Sequence, residues 1–429
     1  MKFGLDAFRG KRVLLLQGPV GPFFWRLSRD LRWAGAKVCK VNFNGGDWLF
    51  YPTGAIAFRG RMDEWPAFFE RLLDERKIDT VLFFGDCRPI HALVQTVAKR
   101  RGIEIGVFEE GYLRPDNITL EKAGVNGYSD IPASPIFYLN KACGPSPETM
   151  PVGNTFPYVV LWAMLYYLAS ALLYPLFRHY RHHRSLSPLE ALPWLRALWR
   201  KGYYRVSEHK VKERLTTVHA ENFYLVPLQV HNDFQVRVHS RFYSIEDFIR
   251  YVMRSFADNA PSSAMLVIKH HPLDRGYRDY GRLIQTESEL LGIAGRVMSI
   301  HDQHLPTLLE HAAGVVVINS TVGLSAVHHD TLVKVCGHAI YDMQGLTYQG
   351  DLDTFWDSAA EEKIDRGLYG RFRRYLISQT QLNGSFYKRL DIPGSHSGLV
   401  WNSPAQPADD SVFDGEVRPV LNEQDRRVV

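Results

Sequence analysis

The chain predicts an α/β protein built from two Rossmann-like halves with a cleft between them. Three observations carry this expectation. Short apolar runs of strand type alternate with helical stretches, in two separate series. A segment of different composition, apolar and then basic, divides the series. Polar motifs fall directly after the apolar runs, where open parallel sheets bind ligands. The 429 residues are enough for two domains, and 45% hydrophobic with 23% charged residues is a globular composition.

The first series opens with a strand over 13–16. It leads into Gly18-Pro19-Val20-Gly21-Pro22 and a helix over 23–33 closed by Gly35. A second strand covers 37–43, a helix 65–75, and a third strand 80–84, which ends at Gly85-Asp86-Cys87-Arg88-Pro89. A helix to residue 101 precedes a strand over 103–108 that ends at Glu109-Glu110-Gly111-Tyr112. The second series starts with a strand over 224–228 that runs into Gln229-Val230-His231-Asn232-Asp233. A helix near 245–256 precedes a strand over 265–268, which leads into Lys269-His270-His271-Pro272. Helix 277–291, strand 296–300 and helix 305–313 follow. Strand 314–318 then leads into Asn319-Ser320-Thr321, and the last strand covers 333–335. The domains expected are 1–140, a helical linker 141–221, 222–390, and a tail 391–429 whose Pro, Ser, Gly and Asp content predicts poor order. No internal repeat of fixed period is visible.

Residues 158–177 are twenty residues without a charge, the length of a membrane span. One crossing would leave the two halves on opposite sides of the membrane and abolish a shared cleft. A helix lying in or dipping into the membrane interface is therefore expected, with a buried inter-domain helix as the alternative. From Arg178 to Leu215 the chain carries seven Arg and three Lys against three Glu, a net +7, against +5 for the whole sequence. So local a basic stripe suits an anionic surface. The four cysteines, Cys39, Cys87, Cys143 and Cys336, form no CxxC pair, as expected of reduced thiols in a cytoplasmic protein. The first ten residues lack the apolar core of a signal peptide.

The motifs at the strand ends set the chemistry. Lys269, His270 and His271 can donate to phosphate, and a histidine can protonate a departing one. Asn319, Ser320 and Thr321 offer amide and hydroxyl donors beside a helix N-terminus, although N-capping also explains them. Together they point to a transferase using a nucleotide-bearing donor. Asp233 at a strand end can serve as nucleophile or general base in glycosyl transfer, with Gln229, Asn232, Gln235 and His239 around it. A loop Asp capping the next element is the plainer alternative. Glu109 and Glu110 are adjacent on a strand, so their side chains face opposite ways. One would face the cleft for acid/base work or acceptor binding. Gly18 and its neighbours lack both GxGxxG and a Walker lysine, and their prolines remove N–H donors. Close backbone approach to a substrate is the better use. Arg88 can hold an acidic sugar or a lipid phosphate, or make a structural ion pair. No Asp-x-Asp metal signal appears at these strand ends, so a metal-free site that meets leaving-group charge with cations and a helix dipole is expected.

The combination of Gln17-Gly-Pro-Val-Gly-Pro-Phe-Phe24, Phe84-Gly-Asp-Cys-Arg-Pro-Ile-His91, Glu109-Glu-Gly-Tyr-Leu-Arg-Pro115, Pro227-Leu-Gln-Val-His-Asn-Asp-Phe-Gln235, Lys269-His-His-Pro272 and Asn319-Ser-Thr-Val-Gly-Leu324 resembles the capsular polysaccharide biosynthesis/export family of the KpsS/LipB type. Ile340–Thr347 and Thr380–Tyr387 extend the match, which covers roughly 10–390. The resemblance implies a bacterial β-Kdo glycosyltransferase with a GT-B-like fold. It would use CMP-Kdo, need no cofactor or metal, and start a Kdo linker on a phosphatidylglycerol-type lipid at the inner face of the cytoplasmic membrane. It implies peripheral membrane association, contact with other capsule assembly proteins and no nucleic-acid partner. Carried onto this sequence, it makes Asp233 the nucleophile, with His271 and Glu110 as further catalytic groups. Gln17, Gly18, Arg88, Glu109, Gln229, Gln235, Lys269, His270, Asn319, Ser320 and Thr321 would bind substrate. Related elongating enzymes often have Glu-Asp-Gly where this chain has Glu109-Glu110-Gly111. A non-catalytic capsule assembly or export protein, or a GT-B transferase using another nucleotide sugar, are the rival readings.

Overall fold

The computed structural model describes residues 4–141, 144–145, 147–180, 191–359 and 361–401. The chain divides into two compact units. The described residues of the first lie within Met1–Asp130, Cys143–Pro188 and Arg374–Asp409, and those of the second within Ile131–Ala142 and Leu189–Arg373.

The first unit holds β1 (Arg12–Leu15), β2 (Lys37–Asn42), β3 (Ala55–Ala57), β4 (Thr80–Phe84), β5 (Glu104–Glu110) and β6 (Asn117–Lys122). The chain's last strand, β12 (Gln381–Asn383), also joins this sheet, giving the order β12-β6-β5-β4-β1-β2-β3. The first five strands are parallel, with Val13 opposite both Val38 and Thr80. β6 and β12 run antiparallel at one edge. Helices α1 (Phe23–Trp33), α2 (Gly45–Phe50), α3 (Trp65–Arg76) and α4 (Pro89–Arg101) supply the crossovers. α4 shows the reason for its bounds. Pro89 fits the first turn because no N–H is needed there, and Gly102 ends the helix in the left-handed region at φ 65°. Strands buried on both faces read as continuous apolar runs, which is why Leu82 and Phe83 are fully enclosed.

The second unit begins with α5 (Pro135–Asn140). After α6 (Phe156–Leu172) in the first unit come α7 (Ala191–Ser207), α8 (Val211–Thr216), β7 (Phe223–Pro227), α9 (Phe234–Val238), α10 (Ile245–Asn259), β8 (Met265–Lys269), α11 (Gly281–Leu290), β9 (Val297–Ile300), α12 (Leu305–His311), β10 (Gly314–Val317), α13 (Thr321–His328), β11 (Val333–Val335), α14 (Leu352–Ser358) and α15 (Arg366–Gln379), which from Arg374 on belongs to the first unit. The five strands form an all-parallel sheet ordered β11-β10-β7-β8-β9. Its core packs Val226, Phe248, Val252, Ile268 and Trp356. Numbered within each unit, the parallel strands of both sheets run 5-4-1-2-3. The order reverses between β1 and β4 in one and between β7 and β10 in the other, the place where doubly wound sheets bind ligands.

The boundaries expected at 140 and 390 differ from those of the compact units. Residues 131–141 belong to the second unit, and β12 pairs with β6 rather than with the second sheet. Part of the tail is also folded, against expectation. Asp30, 1% exposed, accepts the N–H groups of His396 and Ser397 at 2.5 and 2.9 Å, and Leu399 is buried. Residues 402–429 lie outside the described residues.

The apolar segment is a docked helix. α6 ends before Pro175, whose missing N–H cannot continue the hydrogen-bond ladder, and a 3₁₀ turn covers Tyr174–Phe177. One face packs on α2, where a Cβ on Gly45 would sit 2.2 Å from the Ala169 carbonyl and one on Gly46 2.4 Å from the Tyr166 ring. Its other face leaves Leu161, Met164, Leu168 and Leu172 exposed. No helix among the described residues is long and apolar enough to cross a membrane. In the second unit α7 is inverted in character. Arg200 turns inward to the Arg275 carbonyl and Asp279, and Tyr204 stacks on His301, while Leu195, Leu198, Trp199 and Val206 face out.

Candidate functional site

In the second unit, the ends of β7, β8 and β10 bring the expected donor-side residues together. Gln229 is the hub. Its Nε2 donates to Asp233 Oδ2 at 3.1 Å and to Asn319 Oδ1 at 3.0 Å. Asn319 Nδ2 donates in turn to the Gln235 carbonyl at 3.0 Å. Asp233 thus stands at the β7/β10 reversal. It also caps α9, since its Oδ1 accepts the Gln235 N–H at 2.9 Å. It is an N-cap whose carboxylate is oriented by two aimed donors. Ser320 caps α13 by accepting from the Val322 N–H at 3.2 Å, and Thr321 is that helix's first residue. His239, at the end of α9, is buried, and burial with His338 nearby pushes its pKa down to about 4.

The turn after β8 is ordered by a contact that sequence reasoning missed. Asp274 is fully buried and accepts both the His231 backbone N–H at 2.6 Å and its Nδ1 at 2.5 Å. The loop bearing Asp233 is thereby clamped to the His-His-Pro turn. His271 Nδ1 accepts the Leu273 N–H at 3.1 Å. The neutral ring therefore carries its proton on Nε2, the tautomer that donates to phosphate. Lys269 is 8% exposed, and burial lowers its pKa against the opposing pull of Asp302 and Glu208. His270 sits apart from His271. Its ring is buried between His301 and Tyr280, and its Nε2 meets no partner among the described residues. Burial and His301 lower its pKa.

In the first unit the β1/β4 reversal joins Gln17, Gly18 and Arg88. Arg88 Nη1 donates to Gln17 Oε1 at 3.0 Å and to the Gly18 carbonyl at 3.3 Å. Gln17 Nε2 reaches Asp47 Oδ2 at 3.3 Å and Tyr180 at 2.9 Å. Tyr166 on α6 donates to Asp47 Oδ1 at 3.1 Å. The apolar helix is therefore wired by buried hydrogen bonds to a strand-end site, which no periodicity in the sequence announces. At the end of β5 the two acids differ. Glu110 Oε1 accepts the Tyr387 hydroxyl at 2.8 Å. Glu109 lies near Gly85, and burial, together with the charges of Glu110 and Asp86, raises its pKa to about 8. Glu109, which also accepts the Glu110 N–H at 3.0 Å, thus holds its proton more tightly than an ordinary carboxyl, whereas Glu110 is tied to Tyr387.

Comparison with known proteins places the chain in a family. The model of the family described as capsule polysaccharide biosynthesis protein matches residues 79–387. The chain is 44% identical over 381 residues to the capsule polysaccharide export protein KpsS of Escherichia coli, covering 88% of this chain and 97% of that protein. It is 38% identical over 396 residues to the capsule polysaccharide modification protein LipB of Neisseria meningitidis serogroup A, covering 90% and 94%. Among solved structures, the β-Kdo 2,7 transferase KpsC of Thermosulfurimonas dismutans aligns over 90% of this chain and 94% of that one, at 16% identity and a TM-score of 0.41. The chain belongs to the capsule polysaccharide biosynthesis family.

Proposed function

We propose that the chain is a glycosyltransferase that moves Kdo from CMP-Kdo to a phosphatidylglycerol-type lipid and so begins the linker of a capsular polysaccharide. The observation that carries this reading is the Gln229–Asp233–Asn319 network at the β7/β10 reversal, clamped by His231–Asp274 to the turn bearing His271. The Asp233 carboxylate attacks the anomeric carbon of Kdo. The bond to phosphate breaks, and its electron pair leaves with CMP. His271, through Nε2–H, and Lys269 meet the phosphate charge. The lipid hydroxyl then attacks the same carbon from the opposite face, releasing the carboxylate, and its proton passes to a base. Two displacements retain the configuration.

The outward apolar faces of α6 and α7 support association with an anionic membrane surface. α7 carries Arg196, Lys201 and Arg205 exposed beside Trp199 and Tyr203, and no acidic residue.

The capping role of Asp233 favours a second reading, a binding protein without turnover. Asp233→Asn separates the two, because Asn caps a helix about as well as Asp but is no nucleophile. Mass spectrometry after incubation with CMP-Kdo and a short-chain phosphatidylglycerol should show one added Kdo with wild type. The variant should lose transfer by at least about a thousand-fold, with unfolding free energy changed by less than about 1 kcal/mol. Near wild-type transfer by the variant would rule out the nucleophile.

A further inference from the structure

The turns after β8 and β9 leave the second sheet side by side. The His270 N–H donates to the Ile300 carbonyl at 2.7 Å, so His271 and His301 follow neighbouring strand ends. Asp233, His271 and His301 thus succeed one another along the carboxyl end of the sheet, after β7, β8 and β9. In the proposed reaction the first meets the sugar and the second the phosphate. The ribose then carries the base past β8 to the next strand end, about 5 Å further on.

His301 is fixed at that place. Its Nδ1 lies 2.7 Å from Glu208 Oε1, and its backbone N–H donates to Glu208 Oε2 at 3.0 Å. Gln303 Nε2 donates to the same Oε2 at 3.2 Å. Glu208 stands just after α7 and is buried. Burial pushes its pKa up, but the hydrogen bonds from His301 and Gln303 outweigh this and lower it, so the carboxylate stays charged. The His301 ring stacks on Tyr204, with 3.5 Å between centroids, and on His270 at 5.1 Å. Only Nε2 is left over. It meets no partner among the described residues, and 14% of the side chain is exposed. His91 and His270 also leave Nε2 without a partner, but there the atom is enclosed by protein.

The carboxylate decides what the open nitrogen can do. With Nδ1–H committed to Glu208, the neutral ring presents a lone pair at Nε2 and accepts. Cytosine carries an amino donor at C4, where uracil carries a carbonyl acceptor. An acceptor at this place welcomes the first and faces the second lone pair to lone pair. Lys269 and His271 make no such distinction, because they meet a phosphate that every nucleotide donor shares.

We propose that His301 selects the base of the donor: its Nε2 accepts a hydrogen bond from the 4-amino group of cytosine, and Glu208 is the positioning residue that holds the accepting tautomer. The proposal rests on the nucleotide-donor reading above and says which residue sets the choice of base.

The test uses the full chain with CMP, UMP and the 5′-monophosphate of 2-pyrimidinone riboside, which has hydrogen in place of the 4-amino group, read by titration calorimetry. Wild type should bind CMP at least about tenfold more tightly than either of the others, because each leaves the acceptor unpaired. His301→Phe keeps a ring on Tyr204 and removes Nε2, so it should bring the affinities for CMP and UMP together. That ratio is read within one protein, so a loosened turn that weakens both nucleotides alike does not move it. In Glu208→Gln the amide oxygen is drawn to the two donors at the Oε2 position, the His301 backbone N–H and Gln303. The amide NH₂ then faces Nδ1, the ring proton moves to Nε2, and the preference for CMP should fall at least about tenfold. An unchanged ratio in Glu208→Gln overturns its positioning role. A ratio preserved in His301→Phe, with CMP still bound, overturns the role of His301 and leaves the donor reading standing. Wild type that binds no nucleotide overturns both. Wild type that binds UMP as tightly as CMP refutes selection at this atom, since Nε2 then takes the N3–H of uracil as readily. Should the Phe variant fail to fold, the analogue decides on wild type: binding equal to that of CMP means that the amino group meets nothing, and refutes the assignment.

Discussion

Glu109 and Glu110 are neighbours of the same residue type, yet their surroundings separate them. Burial raises Glu109 to about 8. Between the ordinary carboxyl value of 4.5 and about 8, the unfolded chain gives up this proton while the folded chain keeps it. Stability from the group is therefore complete below pH 4.5, falls as pH rises, and is lost above 8. Glu109→Gln keeps the shape without the proton, so its melting temperature relative to wild type should climb from pH 5 to pH 9. A constant difference across that range would show that Glu109 does not titrate there. The sequence established that the pair must face opposite sides of the strand, but not which acid would be perturbed. That depends on Gly85, Asp86 and Tyr387, which lie far away along the chain. Asp233, Gln229 and Asn319 were legible because each directly follows an apolar run. Glu208 and Asp274 were not. One reads as an ordinary helix-end residue and the other as an ordinary turn residue, and only burial distinguishes them.

Among the elements, α6 carries the clearest consequence of close packing. The Gly45–Gly46 pair lets α2 and α6 meet at backbone distance, and an added Cβ at Gly45 would strike the Ala169 carbonyl, which cannot swing aside. Gly45→Ala should cost about 1–3 kcal/mol of stability, typical of overpacking. It should also loosen α6, seen as faster amide exchange over Val159–Ser170 while β7 and β8 keep their protection. Unchanged exchange in α6 would mean the helix docks without the pair. The elements found from sequence were those with a strong period or a clear stop: Phe23–Trp33, Thr80–Phe84 and Val333–Val335 match their expected bounds. The short edge strands β3 and β12, and β6 between β12 and β5, were missed. β12 has three residues, Gln-Leu-Asn, and its pairing with β6 joins segments more than 250 residues apart, which local patterning does not encode. The twenty-residue apolar run suggested a membrane by length, but Pro175 shortens the helix, and Tyr166 and Ser170 give it a polar inner face.

Across the molecule, the same 5-4-1-2-3 strand order occurs twice, and each order reversal holds its own polar network. Donor recognition on our reading belongs to the second unit alone, where Lys269 and His271 at the end of β8 and Asn319 and Ser320 at the end of β10 flank the end of β7. A ligand that binds only the folded state stabilises it by RT ln(1 + [L]/Kd), about 2.7 kcal/mol at a hundredfold excess over Kd. CMP should therefore raise the melting temperature, and UDP or GDP should not at equal concentration. The protection should also be local. Amide exchange should slow at the loops following β7, β8 and β10, with the first unit's β1 and β4 unaffected. His271→Ala should cut the CMP shift, since it removes the Nε2–H donor, and His270→Ala should lower the baseline melting temperature yet leave the CMP shift intact, since that ring packs against His301 and Tyr280. If His270→Ala abolished the CMP shift while His271→Ala preserved it, the two histidines would have exchanged roles. The phosphate would then have to be met from inside the aromatic stack rather than from the turn that caps it.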